Sequence, residues 1–178
     1  YETVKDTSVY VKFKLEPNKQ IGNWTTTDNT YILAWTTTPW TLPGNVALAV
    51  GSNIEYKILQ LGKEFLILAK EAYERLYEEH PTWFQPFPAG ILTQDSTSLT
   101  SEYVPGEKLI GLRFKPLFDF LDLGKITGKK AYYITDADFA TTQDGTGVVH
   151  TAVMYGEDDY ALGEKIGLPK HKRQLLSF

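Results

Sequence analysis

Apolar residues in this chain come in short runs divided by Gly, Pro, Asn and Thr, and that punctuation limits the fold more than any other feature. Residues 8–15 place Val9, Val11, Phe13 and Leu15 on alternate positions, the period of a half-buried strand. Thr30–Thr36 is dense in β-formers and runs straight into a threonine run and Pro39. Residues 54–61 and 64–69 flank Gly62 as the arms of a hairpin would. Residues 130–135 and 147–152 are short apolar runs of the kind that form buried strands. Helical spacing is clear in 70–79, where Ala72, Tyr73 and Leu76 recur at helical intervals and Pro81 ends the pattern. A second helix is expected over 157–166, with acidic residues in its first turn as the macrodipole prefers. Residues 17–28 are rich in turn formers, and 81–111 are irregular with room for two short strands. No repeat, low-complexity tract or linker divides the chain. Many strands at short spacing with few helices predict one α+β domain over residues 1–178, a β-barrel-like, Greek-key sheet with a few peripheral helices.

Composition narrows the class. Hydrophobic residues make up 42% of the 178 residues and charged ones 22%, enough for a packed core and unlike a disordered chain. No apolar stretch nears the ~18 residues a membrane helix needs, so no membrane partner is expected. The first residues lack the layout of a signal peptide, and the chain does not begin with Met, as expected of a domain cut from a longer protein. Cysteine is absent, which excludes disulfides and thiolate metal sites and fits a cytoplasmic origin. With 3 His and no His-Glu-x-x-His pattern, no metal is expected. The 18 basic residues against 22 acidic ones give a net charge of −4, whereas a protein that grips a long duplex should present a basic face. Clusters at Lys125, Lys129 and Lys130, and at Lys170, His171, Lys172 and Arg173, read most simply as solvated loop residues. This charge still leaves room for a pocket that admits a short single-stranded end.

Two segments can carry chemistry. The first, Trp35-Thr36-Thr37-Thr38-Pro39-Trp40-Thr41-Leu42-Pro43-Gly44-Asn45, puts three hydroxyls at the end of an apolar strand and locks them between prolines and tryptophans. A threonine triplet alone is ordinary strand geometry. A rigid row of hydroxyls, however, both donates and accepts hydrogen bonds and can hold a water and a ribose hydroxyl together. No histidine neighbours these threonines in sequence, so an activated nucleophile is not indicated. The second segment runs from Asp144-Gly145-Thr146-Gly147 through His150-Thr151-Ala152 to Asp158-Asp159-Tyr160. His150 closes an apolar strand, and Asp159 falls in the first turn of the expected helix. Singly, such a histidine is more often a satisfied core residue, and such a carboxylate more often complements a helix dipole. The Gly-Thr-Gly lacks the lysine of a phosphate loop and precedes a strand.

Taken together, the two segments resemble the paired signatures of the editing (CP1) domain inserted into isoleucyl-tRNA synthetases. Trp-Thr-Thr-Thr-Pro-Trp-Thr-Leu-Pro-Gly-Asn matches the threonine-rich region, and Gly-Thr-Gly-Val-Val-His-Thr-Ala, followed by Gly156 and Asp159-Tyr160, matches the second signature. Related valyl and leucyl domains carry Thr-Thr-Arg-Pro, so Thr38-Pro39-Trp40 points to the isoleucine branch. Val153 stands where the family has proline, and Gly44 where it has alanine; neither change removes a polar group.

The resemblance implies a hydrolase that removes valine from tRNA(Ile), with the valyl adenylate a second substrate. Valine lacks one methylene of isoleucine, worth ~1–3 kcal/mol in an apolar pocket, a figure for which isoleucyl-tRNA synthetases are themselves the standard illustration. By resemblance Asp159 anchors the ammonium of valine and His150 is the stop against the longer side chain. Thr36, Thr37 and Thr38 hold the ester, the terminal adenosine and the attacking water, with Trp35 and Asn45 supporting the pocket. The implied partners are the 3′ CCA end of tRNA(Ile) and the rest of a parent synthetase, the domain itself being monomeric. No cofactor is expected in this domain. The HIGH and KMSKS motifs of the synthetic core are absent, so ATP and Mg belong to the parent enzyme. The rival expectations are a non-catalytic module that binds the tRNA 3′ end and a free-standing aminoacyl-tRNA deacylase.

Overall fold

A computed structural model describes residues 8–84, 101–118 and 131–152. The helix expected over 157–166, Asp159 and both basic clusters lie outside the described residues.

Strand β1 (Val9–Lys14) pairs antiparallel with β4 (Thr30–Thr36), Val9 opposite Thr36 and Lys14 opposite Tyr31. The other edge of β4 is divided between two parallel strands. β7 (Glu64–Ala69) takes Thr30 to Ile32, and β10 (Val148–Thr151) takes Trp35 through Val149. β10 is flanked on its far side by antiparallel β5 (Ala47–Val50), and β5 by parallel β9 (Tyr133–Asp136). Residues 112–115 then bring the sheet back to its start. Ile134 N–H donates to Leu112 O at 2.8 Å and Phe114 N–H to Tyr132 O at 3.0 Å; Lys115 N–H reaches Lys14 O at 2.8 Å and Glu16 N–H reaches Arg113 O at 2.9 Å. The ring β1-β4-β10-β5-β9 thus curls shut through this segment, the expected barrel-like sheet.

Alternation explains what fills it. Phe13, Leu15, Ile32, Ala34, Leu48, Val50, Phe114 and Ile134 form one continuous core. Each fully buried Leu, Ile or Phe stabilises the fold by about 1.5–3 kcal/mol. β6 (Glu55–Leu61) and β8 (Ser101–Pro105) extend from β7 as a wing in the order β8-β6-β7, and Gly62 takes the left-handed φ of +61° that the β6–β7 turn requires. Helix α1 (Lys70–Glu79) follows β7 directly and buries Leu76 against Leu33, Leu59, Leu66 and Leu68 on the outer face. β4 is therefore covered on both sides, which is why its sequence is nearly all apolar.

The alternating strand, the hairpin about Gly62 and the helix over 70–79 match the sequence reading. Residues 17–28, expected as turns, also hold a small hairpin of β2 (Gln20–Ile21) and β3 (Trp24–Thr25). Within 81–111, β8 is the strand among the described residues, and Pro81–Phe84 and Gly106–Lys108 are 3₁₀ turns. β5 was not foreseen.

Closure by residues 112–115 depends on Phe114, which is 3% exposed and packs edge-on against Phe13 with ring centroids 5.3 Å apart. Phe114→Ala should lower the free energy of unfolding by about 3–5 kcal/mol in urea melts. A loss below about 1 kcal/mol would mean that the seam does not hold the ring.

Candidate functional site

The site is built where β4 ends. The Thr36 hydroxyl accepts the Thr38 N–H at 3.0 Å and turns the chain out of the sheet. Pro39 opens a 3₁₀ helix, Pro39–Gly44, at a position whose N–H would have had no partner. Thr38 O takes the Thr41 N–H at 3.0 Å and the Thr41 hydroxyl at 2.7 Å, and Asn45 N–H reaches Leu42 O at 3.0 Å as the chain enters β5. Two prolines and these bonds make the corner stiff. They leave the hydroxyls of Thr36, Thr38 and Thr41 in a row, 3.2 and 3.3 Å apart. The Thr41 proton is committed to a carbonyl. The exposed Thr38 hydroxyl, with long contacts on either side, has the most capacity left for a ligand.

His150 faces this row from β10. It is 7% exposed, with Nε2 2.8 Å from Thr41 Oγ1 and Nδ1 3.0 Å from Asn45 Nδ2. Asn45 Nδ2 also donates to Ala47 O at 2.9 Å, which fixes the amide with its NH₂ towards the imidazole. Nδ1 must then accept, Nε2 carries the proton, and Nε2–H donates to Thr41 Oγ1. Burial lowers the pKa of the ring to about 4, so it is neutral at physiological pH. With both nitrogens engaged, His150 is a fixed wall, not a free base.

Residues 141–147 form the opposite rim. Gly145 and Gly147 adopt φ of +65° and +73°, which few side chains tolerate. A Cβ on Gly145 would stand 2.8 Å from Trp35 Cε3, and one on Gly147 would collide with Ala69 Cβ. The backbone of this loop therefore lies directly on the Trp35 ring and on the end of β7. The Tyr56 hydroxyl donates to Gly147 O at 2.6 Å and Ala69 N–H to Thr146 O at 2.9 Å. Between the corner and the loop lies an open pocket of about 460 Å³, within the range of small-ligand sites.

Of the residues singled out in the sequence, Trp35, Thr36, Thr37, Thr38 and His150 line this one pocket, and Asn45 sits behind it on His150. Thr37 is exposed at the rim. Thr41, which holds the imidazole, was missed although it lies in the same motif; its signal was its place on the 3₁₀ turn, one turn after Thr38. Phe139 and Thr141 also line the pocket and carried no motif, and Asp144, which opens the second segment, lines it without having been given a role. Among the described residues no group of three or more His, Asp or Glu side chains comes together to hold a metal, and no helix is long and apolar enough to cross a membrane.

Two comparisons place the chain. Its fold is that of the editing domains of class I aminoacyl-tRNA synthetases. It superposes on the crystal structure of GlLeuRS-CP1 with a TM-score of 0.61 at 17% identity, over 90% of this chain and 60% of that one. It also superposes on the P. falciparum cytosolic leucyl-tRNA synthetase editing domain with a TM-score of 0.53 at 19% identity, over 77% and 45%. In sequence it is similar to one segment of the isoleucine–tRNA ligases. It is 40% identical over 169 residues to the isoleucine–tRNA ligase of Clostridium novyi, a match that covers 95% of this chain. The chain spans 13% of the length of that relative. No family model matches it.

The neutral imidazole has a measurable consequence. The folded chain resists a proton that the unfolded chain accepts between pH ~6.5 and about 4. The stability contributed by His150 is thus complete above the unfolded pKa and is lost as pH falls through that window, by up to about 3 kcal/mol. Unfolding free energy should fall more steeply from neutral pH to pH 4.5 in the wild type than in His150→Gln, and ¹⁵N NMR should find Nδ1 unprotonated. Equal slopes in the two proteins would mean that the ring is not held neutral.

Proposed function

We propose that this domain hydrolyses valine from mischarged tRNA(Ile). The observation that carries the reading is the convergence of a stiff row of threonine hydroxyls and a neutral, fully engaged histidine on one open pocket, in a chain similar to a segment of isoleucine–tRNA ligases. Water attacks the ester carbonyl of valyl-tRNA, the bond to the terminal ribose oxygen breaks, and that oxygen takes the proton the water gives up. Thr36, Thr37 and Thr38 position the water and the ribose hydroxyl. His150 is the wall against which the valine side chain stops, and a ring held from both nitrogens is well suited to exclude one methylene. Asp159 supplies the anion for the ammonium. Rate enhancement comes from positioning and preorganised dipoles, without a covalent intermediate and without a cofactor in this domain. The valyl adenylate is a second substrate of the same pocket. The domain works as a monomer in the cytoplasm, on the 3′ CCA end delivered by the parent synthetase, whose ATP and Mg serve synthesis alone.

The test is hydrolysis of valyl- and isoleucyl-tRNA(Ile) by this chain and by a parent enzyme. Valyl ester should be cleaved and isoleucyl ester spared. Binding of the tRNA end without turnover of either would make the domain a non-catalytic module. Asp159→Ala should lower valyl hydrolysis roughly a hundredfold or more, as expected when the ammonium of the substrate loses its counter-charge. His150→Ala should begin to cleave isoleucyl-tRNA; unchanged discrimination there would place the steric stop on another residue.

A further inference from the structure

Arg75 is on α1, next to Leu76, and its guanidinium reaches across to the pocket loop rather than to a carboxylate. Nη1 donates to the carbonyls of Thr142 at 2.8 Å and Gln143 at 3.1 Å, and Nη2 donates to Gly145 O. Among the described residues it forms no ion pair. The loop's own dipoles are what meet its charge. A trans peptide directs N–H opposite to C=O, so the amides of Gln143, Asp144 and Thr146 face away from Arg75. Asp144, Gly145 and Thr146 line the pocket, and Arg75 does not.

The two ends of the loop are held differently. At 146–147 the backbone is tied by Tyr56 and by the Ala69 N–H. At 142–145 the bonds to the carbonyls come from Arg75, and Gly145 rests on the Trp35 ring. Removing the guanidinium frees that half while the other stays tied.

We propose that Arg75 is a positioning residue that sets the width of the pocket and, through it, the size of side chain admitted. The proposal rests on the hydrolytic reading above. Without Arg75 the rim formed by 142–145 recedes from Trp35, a longer side chain fits, and the ester is held less well over the threonine row. Lysine cannot substitute, because a point charge on a flexible stem does not span three carbonyls as the planar fork does.

The experiment compares Arg75→Ala, Arg75→Lys and the remote core truncation Ile21→Ala, using valyl- and isoleucyl-tRNA(Ile) as substrates. Both Arg75 variants should lose about tenfold in kcat on valyl ester and raise the isoleucyl-to-valyl ratio by about tenfold. Millimolar guanidinium ion should partly restore Arg75→Ala. Ile21→Ala, destabilised away from the pocket, should keep the wild-type ratio. An unchanged ratio in Arg75→Ala, or an equal rise in Ile21→Ala, overturns the proposal. If the wild type cleaves neither ester, the hydrolytic reading falls, and backbone ¹⁵N order parameters at Gln143 and Asp144 decide the anchoring. Lower order parameters in Arg75→Ala support it, and unchanged ones refute it.

Discussion

Strand β4 has one edge given wholly to β1 and another that two strands must share. β7 pairs with its first half and β10 with its second, and the change of partner falls between Ile32 and Trp35. The rest follows from that fork. The wing of β6 and β8 leaves on one side, the curled ring continues on the other, and a pocket opens just past the fork, where the parallel pair β4 and β10 ends. The threonine corner is the carboxyl end of β4, His150 is near the carboxyl end of β10, and the glycine loop leads into β10. Side chains far apart in the chain meet because one strand edge runs out of its first partner.

Much of this was legible in the sequence where the signal is local. Alternation gave β1, Gly62 the hairpin, and helical spacing ended by Pro81 gave α1. β5 was not legible. Ala47-Leu48-Ala49-Val50 is buried on both faces, so it has no alternation, and alanine is a poor strand former. Ring closure through 112–115 rests on isolated bridges between distant residues, which no window of sequence contains. Within the site, the residue types of Thr36, Thr37, Thr38 and His150 were visible, but the state of the imidazole was not. It depends on Asn45, whose orientation depends in turn on the carbonyl of Ala47, and on Thr41, which sequence alone makes look like one more loop hydroxyl.

The proposed hydrolysis suits such a corner. Hydrolysis of an activated ester needs little from the protein beyond a held water and a held carbonyl, so rigidity matters more than acid or base strength. The histidine contributes by being inert. Its one ring N–H is spoken for, its charge is suppressed by burial, and its position is fixed from both sides. A pocket proposed to separate two aliphatic side chains differing by one methylene needs walls that do not yield, and this one is braced by prolines, paired glycines and a guanidinium.

The order of the strands also has a consequence for biogenesis. β10, the last of the described strands in the chain, lies between β4 and β5, two strands made long before it. While the chain emerges from the ribosome, those two must wait with exposed hydrogen-bonding edges, the arrangement most open to mispairing, and non-local insertion of this kind is slow. The hairpin of β6 and β7 with α1 can form early; the ring cannot. Because His150 and the glycine loop arrive with β10, the pocket does not exist until that strand is seated. Completing the described sheet and acquiring the pocket are one event, so a half-made chain has no pocket to fill.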